Sequence, residues 1–165
     1  MGVTFDDFVR SRSIALLRVA YLLTGDRHAA EDLLQDVLER MYVRWWRVRT
    51  APEAYARRAL INQSINRWRR RRRRPEAELG THDAVLPDHS DDAAVRDVVV
   101  AALRELPVRQ RAAVVLRFLE DLPVSEVARA LDCSEGTVKS HTARGLARLR
   151  EALSSVDQGA LNDHC

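Results

Sequence analysis

Residues 124–150 read VSEVARALDCSEGTVKSHTARGLARLR, and they contain two short helical patterns separated by three residues. The periodicity predicts one helix over residues 124–131 and a second from residue 135 to about residue 153. Ala128 provides a small residue where two helices can cross. Apolar residues that can fix the crossing angle lie on both sides of the break: Val127, Leu131, Cys133 and Val138.

This arrangement is typical of a helix-turn-helix, the motif that places its second helix in the major groove of DNA. Ser134 can cap the second helix, and Asp132 occupies the turn position where Gly is usual, a substitution that Asp tolerates better than most residues. The polar side of the second helix carries groove-compatible side chains: Thr137, Lys139, Ser140, His141, Arg144 and Arg148. An ordinary helical hairpin with solvated charges is the alternative interpretation.

The rest of the chain also favours helices, because aromatic content is 5%, there are six glycines, and Ala, Leu, Arg and Glu are plentiful. Thr4 and Asp7 resemble a capping box at the start of a helix that runs to about Leu23. A turn at residues 24–26 leads to a second helix capped by Asp26. Pro52 begins a third helix, which ends near residue 75. The sequence therefore predicts an all-α protein made of two small helical domains.

Charge is distributed unevenly along the chain, although the total is only +3. Residues 1–74 hold 17 arginines and eight acidic residues, including six consecutive arginines at 69–74. Residues 75–94 hold six acidic residues and no basic one, and the remainder is neutral. We expect a basic domain at 5–74, a flexible acidic linker at 75–91, a mixed domain at 92–153 and a tail at 154–165. A polyanion is the natural partner of the first domain.

Other features exclude several classes of protein. No apolar stretch approaches the ~20 residues that cross a bilayer, and the N-terminus lacks a signal-peptide core, so we expect no membrane partner and a cytoplasmic protein. Two cysteines are too few for a disulfide framework. None of the five histidines lies in a metal-binding motif. We therefore expect no metal, no cofactor and no enzymatic activity.

Three stretches together resemble the extracytoplasmic-function group of the sigma-70 family, in particular its actinobacterial SigE-like members. They are AYLLTGDRHAAEDLLQDVLERMY at 20–42, INQSINRWRRRRRR at 61–74, and LRELPVRQRAAVVLRFLEDLPVSEVARALDCSEGTVKSHTARGLARLR at 103–150. SEGTVKS, with LPVRQR about thirty residues upstream, is the most specific match. The resemblance implies a sigma factor that binds core RNA polymerase and directs promoter-specific initiation by reading minus-35 and minus-10 elements.

The resemblance also implies a role for each surface. The residues matching the surface that docks on the clamp helices of the largest polymerase subunit are Glu31, Asp32, Leu33, Gln35 and Asp36. The residues matching the minus-10 contacts are Asn62, Asn66, Arg67, Arg69 and Arg70, after a loop at 47–51. Those matching the minus-35 contacts are Thr137, Lys139, Ser140, His141, Arg144 and Arg148. The family often has Arg where His141 and Leu146 stand, and an anti-sigma partner often masks both domains in this group.

Two other hypotheses stay open at this point. A freestanding helix-turn-helix regulator would use its N-terminal part to sense a ligand or dimerise, although no βα alternation of a phosphoacceptor domain precedes the motif. An enzyme or metal protein would need a constellation such as His82, Asp83, Asp88 and His89, which all fall in the linker.

Of Trp45 and Trp46, we expect one in the core and one partly exposed.

Overall fold

The computed structural model describes residues 2–73 and 91–162, and every regular element in these two ranges is helical. The elements are α1 (Phe5–Thr24), α2 (Arg27–Val43), α3 (Trp45–Val48), α4 (Pro52–Arg73), α5 (Asp91–Arg104), α6 (Val108–Val114), a π-helical turn (Val115–Leu119), α7 (Val124–Leu131) and α8 (Glu135–Asn162). The all-α prediction is confirmed. The predicted linker at 75–91 lies almost wholly outside the described residues.

The chain divides into an N-terminal unit, Met1–Asp83, and a C-terminal unit, Ala84–Cys165. In the N-terminal unit α1, α2 and α4 pack pairwise against one another. In the C-terminal unit α8 packs against α5, α6 and α7. Each unit has its own buried apolar core.

The helix starts of the N-terminal unit follow the sequence signals. The Asp7 backbone N–H donates to Thr4 Oγ1 at 3.2 Å, and the Thr4 backbone N–H donates back to Asp7 Oδ2 at 3.4 Å, which completes the predicted capping box. Gly25 ends α1 with a left-handed φ of 73°, and the Asp26 carboxylate accepts from the His28 N–H at 2.9 Å. Part of the loop predicted at 47–51 is helical, because α3 extends to Val48.

Glu53 joins α1 to α4 in this unit. Its carboxylate lies 3.4 Å from Arg12 and 2.9 Å from Arg57. The core between the three helices is formed mainly by Leu16, Val19, Leu23, Leu33, Val37, Met41, Leu60 and Ile61. The apolar periodicity of α4 predicts one buried face with Ala54, Ile61, Ile65 and Trp68. Ile61 and Ile65 are buried, but Ala54 and Trp68 are exposed, since the rest of the core row runs through Ala56, Leu60 and Ser64.

The helix-turn-helix has the predicted form. Asp132 adopts a left-handed conformation with φ 52° at the end of α7. The Ser134 hydroxyl then accepts from the Thr137 backbone N–H at 3.1 Å, so it caps α8. Val127, Leu131 and Val138 are fully or almost fully buried and hold the two helices together.

Three features of the C-terminal unit differ from the sequence expectation. The apolar periodicity predicts one helix over 108–119, but a π-helical turn interrupts it, and Asp121 follows with φ 51°. The same periodicity places Val95 in the apolar stripe of α5, but Val95 is 64% exposed, because the buried residues of α5 include Ala93, Val100 and Leu103. Helix α8 continues to Asn162 instead of ending near 153.

Helix α8 crosses α6 at very short range, and Gly145 makes this crossing sterically feasible. A Cβ atom at residue 145 would lie 2.7 Å from Val114 Cγ2 and 3.1 Å from the Gln110 carbonyl oxygen. Real Cβ atoms do not approach other atoms at 2.7 Å, and the Val114 side chain is stiff because it is β-branched. The close packing of α8 on α6, and with it the direction in which the side chains of α8 point, therefore depends on the glycine at residue 145.

We predict that Gly145→Ala destabilises the C-terminal unit by about 1–3 kcal/mol, the usual cost of overpacking a close contact. Chemical denaturation of the full chain, followed by circular dichroism, measures this change. Gly136→Ala is the matched control, because its new methyl group would meet only Ser134 Oγ at 3.8 Å. An alanine normally gains about 0.5–1 kcal/mol over glycine in a helix, so a gain at residue 145 would contradict the crossing.

Candidate functional site

The second helix of the helix-turn-helix presents a polar surface to solvent. Lys139, Ser140, Arg144 and Arg148 are exposed, and we call these four residues the recognition surface. Ser140, Arg144 and Arg148 are spaced by four residues and share one face of α8, whereas Lys139 is rotated about 100° away from Ser140 around the helix axis. Exposed donors in this arrangement fit contacts to base edges and phosphates.

Two predicted contact residues are less exposed than this group. Thr137 is half-buried, and its hydroxyl lies 2.8 Å from Ser134 Oγ in the cap of α8. His141 is half-buried at the edge of the recognition surface, and its Nδ1 atom is enclosed without a hydrogen-bond partner. Partial burial lowers the pKa of His141, and the neighbouring Arg109 and Arg144 lower it further. The ring therefore favours its neutral form.

Arg109 is a residue whose role the sequence reasoning missed. Its Nη1 atom donates to the Leu131 carbonyl oxygen at 3.2 Å, so it satisfies an otherwise free acceptor at the end of α7. Arg111 does the same for α5 by donating to the Arg104 and Leu106 carbonyl oxygens, each at 3.1 Å. The motif LPVRQR contains both arginines, but its periodicity does not show that they cap neighbouring helices.

Helix α4 carries its polar residues in two rows. Asn62, Asn66, Arg69 and Arg73 are spaced by three or four residues, and all four are exposed. We call them the Asn/Arg row. Arg67, Arg70 and Arg71 lie on the side of α4 that borders α2, where they line a shallow cavity with Asp26 and Asp32. The structure thus brings Asn62, Asn66 and Arg69 together and turns Arg67 away toward α2, whereas Arg70 lies one turn beyond Asn66 beside this row.

Arg67 makes specific contacts with α2. Its Nη2 atom pairs with Asp36 Oδ2, and its Nη1 atom donates to the Ala29 carbonyl oxygen at 3.5 Å. The Arg67 side chain is 25% exposed and the Asp36 side chain 48%. Two residues assigned by resemblance to different surfaces therefore bind each other.

The predicted acidic set on α2 is only partly a surface. Glu31, Asp32 and Gln35 are exposed and Asp36 is half-exposed, and we call these four residues the acidic face. Leu33 was assigned to the same face, but this assignment is wrong, because its side chain is completely buried in the core. Successive side chains on a helix are rotated by about 100°, so Leu33 points into the core although its neighbour Asp32 is exposed.

An apolar groove of about 620 Å³ borders the acidic face. Its walls combine apolar residues of α1 and α2 with three polar side chains: Phe5, Leu17, Leu34, Leu38, Tyr42 and Val43, with Glu31, Gln35 and Glu39. Tyr42 and Val43 are 67% and 74% exposed. An exposed apolar strip rimmed by charge is the usual composition of a protein-binding surface.

The two neighbouring tryptophans differ in exposure, but neither lies in the core as expected of one of them. Trp45 is half-buried and packs on Phe5 and Phe8, with ring centroids 5.4 and 5.6 Å apart. Trp46 is 67% exposed, and the Arg47 guanidinium lies 4.4 Å from the centre of its ring. Trp46 is therefore accessible, but its ring is partly covered by a cation.

Neither described range holds a group of three or more His, Cys, Asp or Glu side chains arranged for a metal ion. His82, Asp83, Asp88 and His89 lie outside the described residues. The same two ranges contain no helix whose length and apolar content would allow it to cross a bilayer.

Comparison with protein families assigns both units. Residues 8–74 match the Sigma-70 region 2 model, and residues 96–149 match the Sigma-70, region 4 model. A relative from Streptomyces avermitilis, the RNA polymerase sigma-E factor, is 41% identical over 158 residues, which cover 94% of this chain and 88% of the relative. The chain belongs to the sigma-70 family. Its curated relatives place it in the extracytoplasmic-function group.

Other relatives agree with this membership. The extracytoplasmic-function RNA polymerase sigma factor SigM of Mycobacterium tuberculosis is 33% identical, with 94% of this chain and 80% of SigM covered. Among solved structures, the sigma factor RpoE of Bartonella quintana, crystallised with the anti-sigma factor NepR, matches with a TM-score of 0.68 and 25% identity. That match covers 90% of this chain and 98% of RpoE.

Membership of this family establishes the function of the chain: it is a sigma factor for promoter-specific transcription initiation by RNA polymerase. Sigma factors bind core RNA polymerase and promoter DNA, and they are generally non-catalytic initiation factors. The hypothesis of a freestanding regulator is therefore wrong.

We predict that acid weakens the C-terminal unit through His141. The fold lowers the pKa of His141, so the unfolded chain binds a proton first as the pH falls through the ordinary histidine range near 6.5. The free energy of unfolding should therefore fall between about pH 7.5 and about pH 5.5, and the fall should be smaller in His141→Gln.

Denaturation curves of both proteins across this pH range measure the difference. His28→Gln is the control, because His28 is exposed at the start of α2 in the other unit. Equal pH dependence in the wild type and His141→Gln would show that burial of His141 does not contribute.

Proposed function

We propose that the recognition surface on α8 reads the minus-35 promoter element and that the Asn/Arg row on α4 reads and holds the minus-10 element. The acidic face of α2 then binds the clamp helices of core RNA polymerase. The observation that carries this proposal is the exposed row of Ser140, Arg144 and Arg148, presented by a capped helix behind a left-handed turn, within the region that matches Sigma-70 region 4.

The minus-35 assignment depends on geometry within the C-terminal unit. The N-terminal half of a recognition helix is the part that enters the major groove, and Lys139, Ser140 and Arg144 all lie in that half of α8. Arginine can donate two parallel hydrogen bonds to guanine, whereas the serine hydroxyl can form a hydrogen bond with more than one kind of base. Half-buried His141 and Thr137 support the helix from its edge, so their main contribution to binding is to its orientation.

The minus-10 assignment depends on the exposed row of α4. Asn62 and Asn66 offer amide groups for the edge of an unstacked base, and Arg69 offers a charge for the phosphates beside it. Arg70 borders the cavity between α2 and α4 and remains exposed, so it can reach phosphate beside the Asn/Arg row. Exposed Trp46 adds an aromatic ring for base stacking near the start of α4.

The polymerase assignment depends on charge and exposure at α2. The pairs Arg27–Glu31, at 3.0 Å, and Gln35–Glu39, at 3.1 Å, join exposed side chains four residues apart. Such pairs contribute only about 0.2–0.5 kcal/mol each, so a partner can replace them at little cost. The adjoining apolar groove adds area for contact, and Leu33 supports the face from the core.

Partners and location follow from the same proposal. Polymerase and promoter DNA are found in the bacterial cytoplasm, where we place the protein. The related sigma factor RpoE is held by an anti-sigma factor. We propose that a comparable partner regulates this chain by covering the recognition surface or the acidic face. All of the predicted linker except Asp91 lies outside the described residues, and a flexible connection between the two units stays a prediction.

Reconstituted transcription tests the proposal as a whole. The purified chain is combined with core polymerase, and transcripts initiated on genomic DNA are sequenced from their 5′ ends. We expect start sites that share two upstream elements separated by a constant spacing. Failure to bind core polymerase, or binding without any choice of start site, would refute the proposal.

We predict that Arg144→Ala weakens promoter binding by the reconstituted holoenzyme by about 1–3 kcal/mol and relaxes the base preference at one position of the minus-35 element. Lys139→Ala should weaken binding with less change in preference. Arg150→Ala is the matched control, because it removes the same charge from α8 at a position outside the recognition surface, about three turns beyond Lys139. Equal losses for Arg144→Ala and Arg150→Ala on all sequences would contradict base reading by Arg144.

We also predict that Arg69→Ala weakens promoter binding regardless of sequence and reduces the slope of log K against log salt by about one. Asn66→Ala, on the same face of α4, should change the preference at the minus-10 element and leave the salt slope intact. Holoenzyme titrations at four salt concentrations distinguish the two. An unchanged slope in Arg69→Ala would remove Arg69 from the phosphate contacts.

A further inference from the structure

The two terminal nitrogens of Arg67 contact two separate groups of helix α2. Binding to a phosphate of DNA would not require this arrangement. Ala29 and Asp36 are seven residues apart on α2, or about 10.5 Å along the helix axis. A helical carbonyl points toward the C-terminus and a side chain leans toward the N-terminus, so the Ala29 oxygen and the Asp36 carboxylate converge. The planar guanidinium of Arg67 contacts both at once.

This contact also joins two surfaces with different partners. Asp36 belongs to the acidic face, and its Oδ1 atom remains for a partner because Arg67 takes Oδ2. Arg67 belongs to α4, the helix that carries the Asn/Arg row. The surrounding cavity is lined by carboxylates of α2 and arginines of α4, including Asp26, Asp32 and Arg70.

We propose that Arg67 is a positioning residue for polymerase binding and not a phosphate contact. It fixes the rotamer of Asp36 on the acidic face and ties α2 to α4. Its removal leaves the Asp36 side chain free to rotate, so core polymerase meets a less ordered surface. Arg67 adds nothing to the count of phosphates that the basic helix neutralises. This inference rests on the proposed role of the acidic face.

A double-mutant cycle on the full chain tests the proposal. Core polymerase affinity is measured for the wild type, Arg67→Ala, Asp36→Asn and the double variant. We expect Arg67→Ala to weaken core binding by about two- to fivefold, the size of effect that partly exposed ion pairs produce. We expect the double variant to be no weaker than the weaker single variant, because both changes break the same contact.

The salt dependence of promoter binding distinguishes a positioning role from a phosphate contact, and rescue by the conservative variant distinguishes it from a merely structural role. The holoenzyme formed with Arg67→Ala should keep the wild-type salt slope at saturating core polymerase, whereas Arg69→Ala loses about one unit. Arg67→Lys should restore core binding only in part, since one ammonium cannot reproduce the fork that contacts both Ala29 and Asp36. Thermal unfolding of each variant identifies any general loss of the fold.

Two outcomes would overturn the inference. One is wild-type core affinity in Arg67→Ala together with a salt slope reduced by about one, which would make Arg67 a phosphate contact. The other is additive losses in the double variant, which would show that Arg67 and Asp36 act independently. A wild-type chain that fails to bind core polymerase would instead refute the proposed function, so the two failures are distinguishable.

Discussion

The close crossing of α6 and α8 at Gly145 is the constraint on which the reading of DNA depends. A recognition helix discriminates bases only when its side chains are held at a fixed angle to the groove. Here the angle is set by backbone-to-backbone proximity, with no side chain at residue 145 to act as an adjustable spacer. The apolar contacts of Val127, Leu131 and Val138 and the cap at Ser134 then fix the rotation of α8 about its own axis.

Arginine has two distinct uses in this molecule. On α4 and α8, exposed guanidinium groups provide charge and fork-shaped donors, which we propose contact nucleic acid. In the C-terminal unit, Arg109, Arg111 and Arg117 instead donate to carbonyl oxygens at the ends of helices or turns, with Arg117 reaching Leu122 at 2.6 Å. These structural arginines satisfy acceptors that would otherwise remain open, and they orient the helices that carry the reading surface.

The sequence predicts local structure better than it predicts contacts between helices. The capping box at Thr4, the cap at Asp26 and the left-handed residue Asp132 follow from side chains that act on their own backbone. The burial of Leu33 agrees with the apolar periodicity of α2, and only the resemblance placed this residue on a surface. The pairing of Arg67 with Asp36 was not foreseen, because it depends on how α2 and α4 pack. The π-helical turn was also missed, since an inserted residue leaves the apolar composition of 108–119 unchanged.

Lys139 is the single lysine in the sequence, and it is exposed on the recognition surface. Amine-reactive fluorophores and sensor-chip coupling therefore have one side-chain target, apart from the chain terminus. A label or a matrix attached there would occupy the helix that we propose enters the groove. Biophysical work on this chain is accordingly better served by tags fused to a chain end, because the free thiol of Cys133 lies in the turn before α8 and the Lys139 amine lies on that helix.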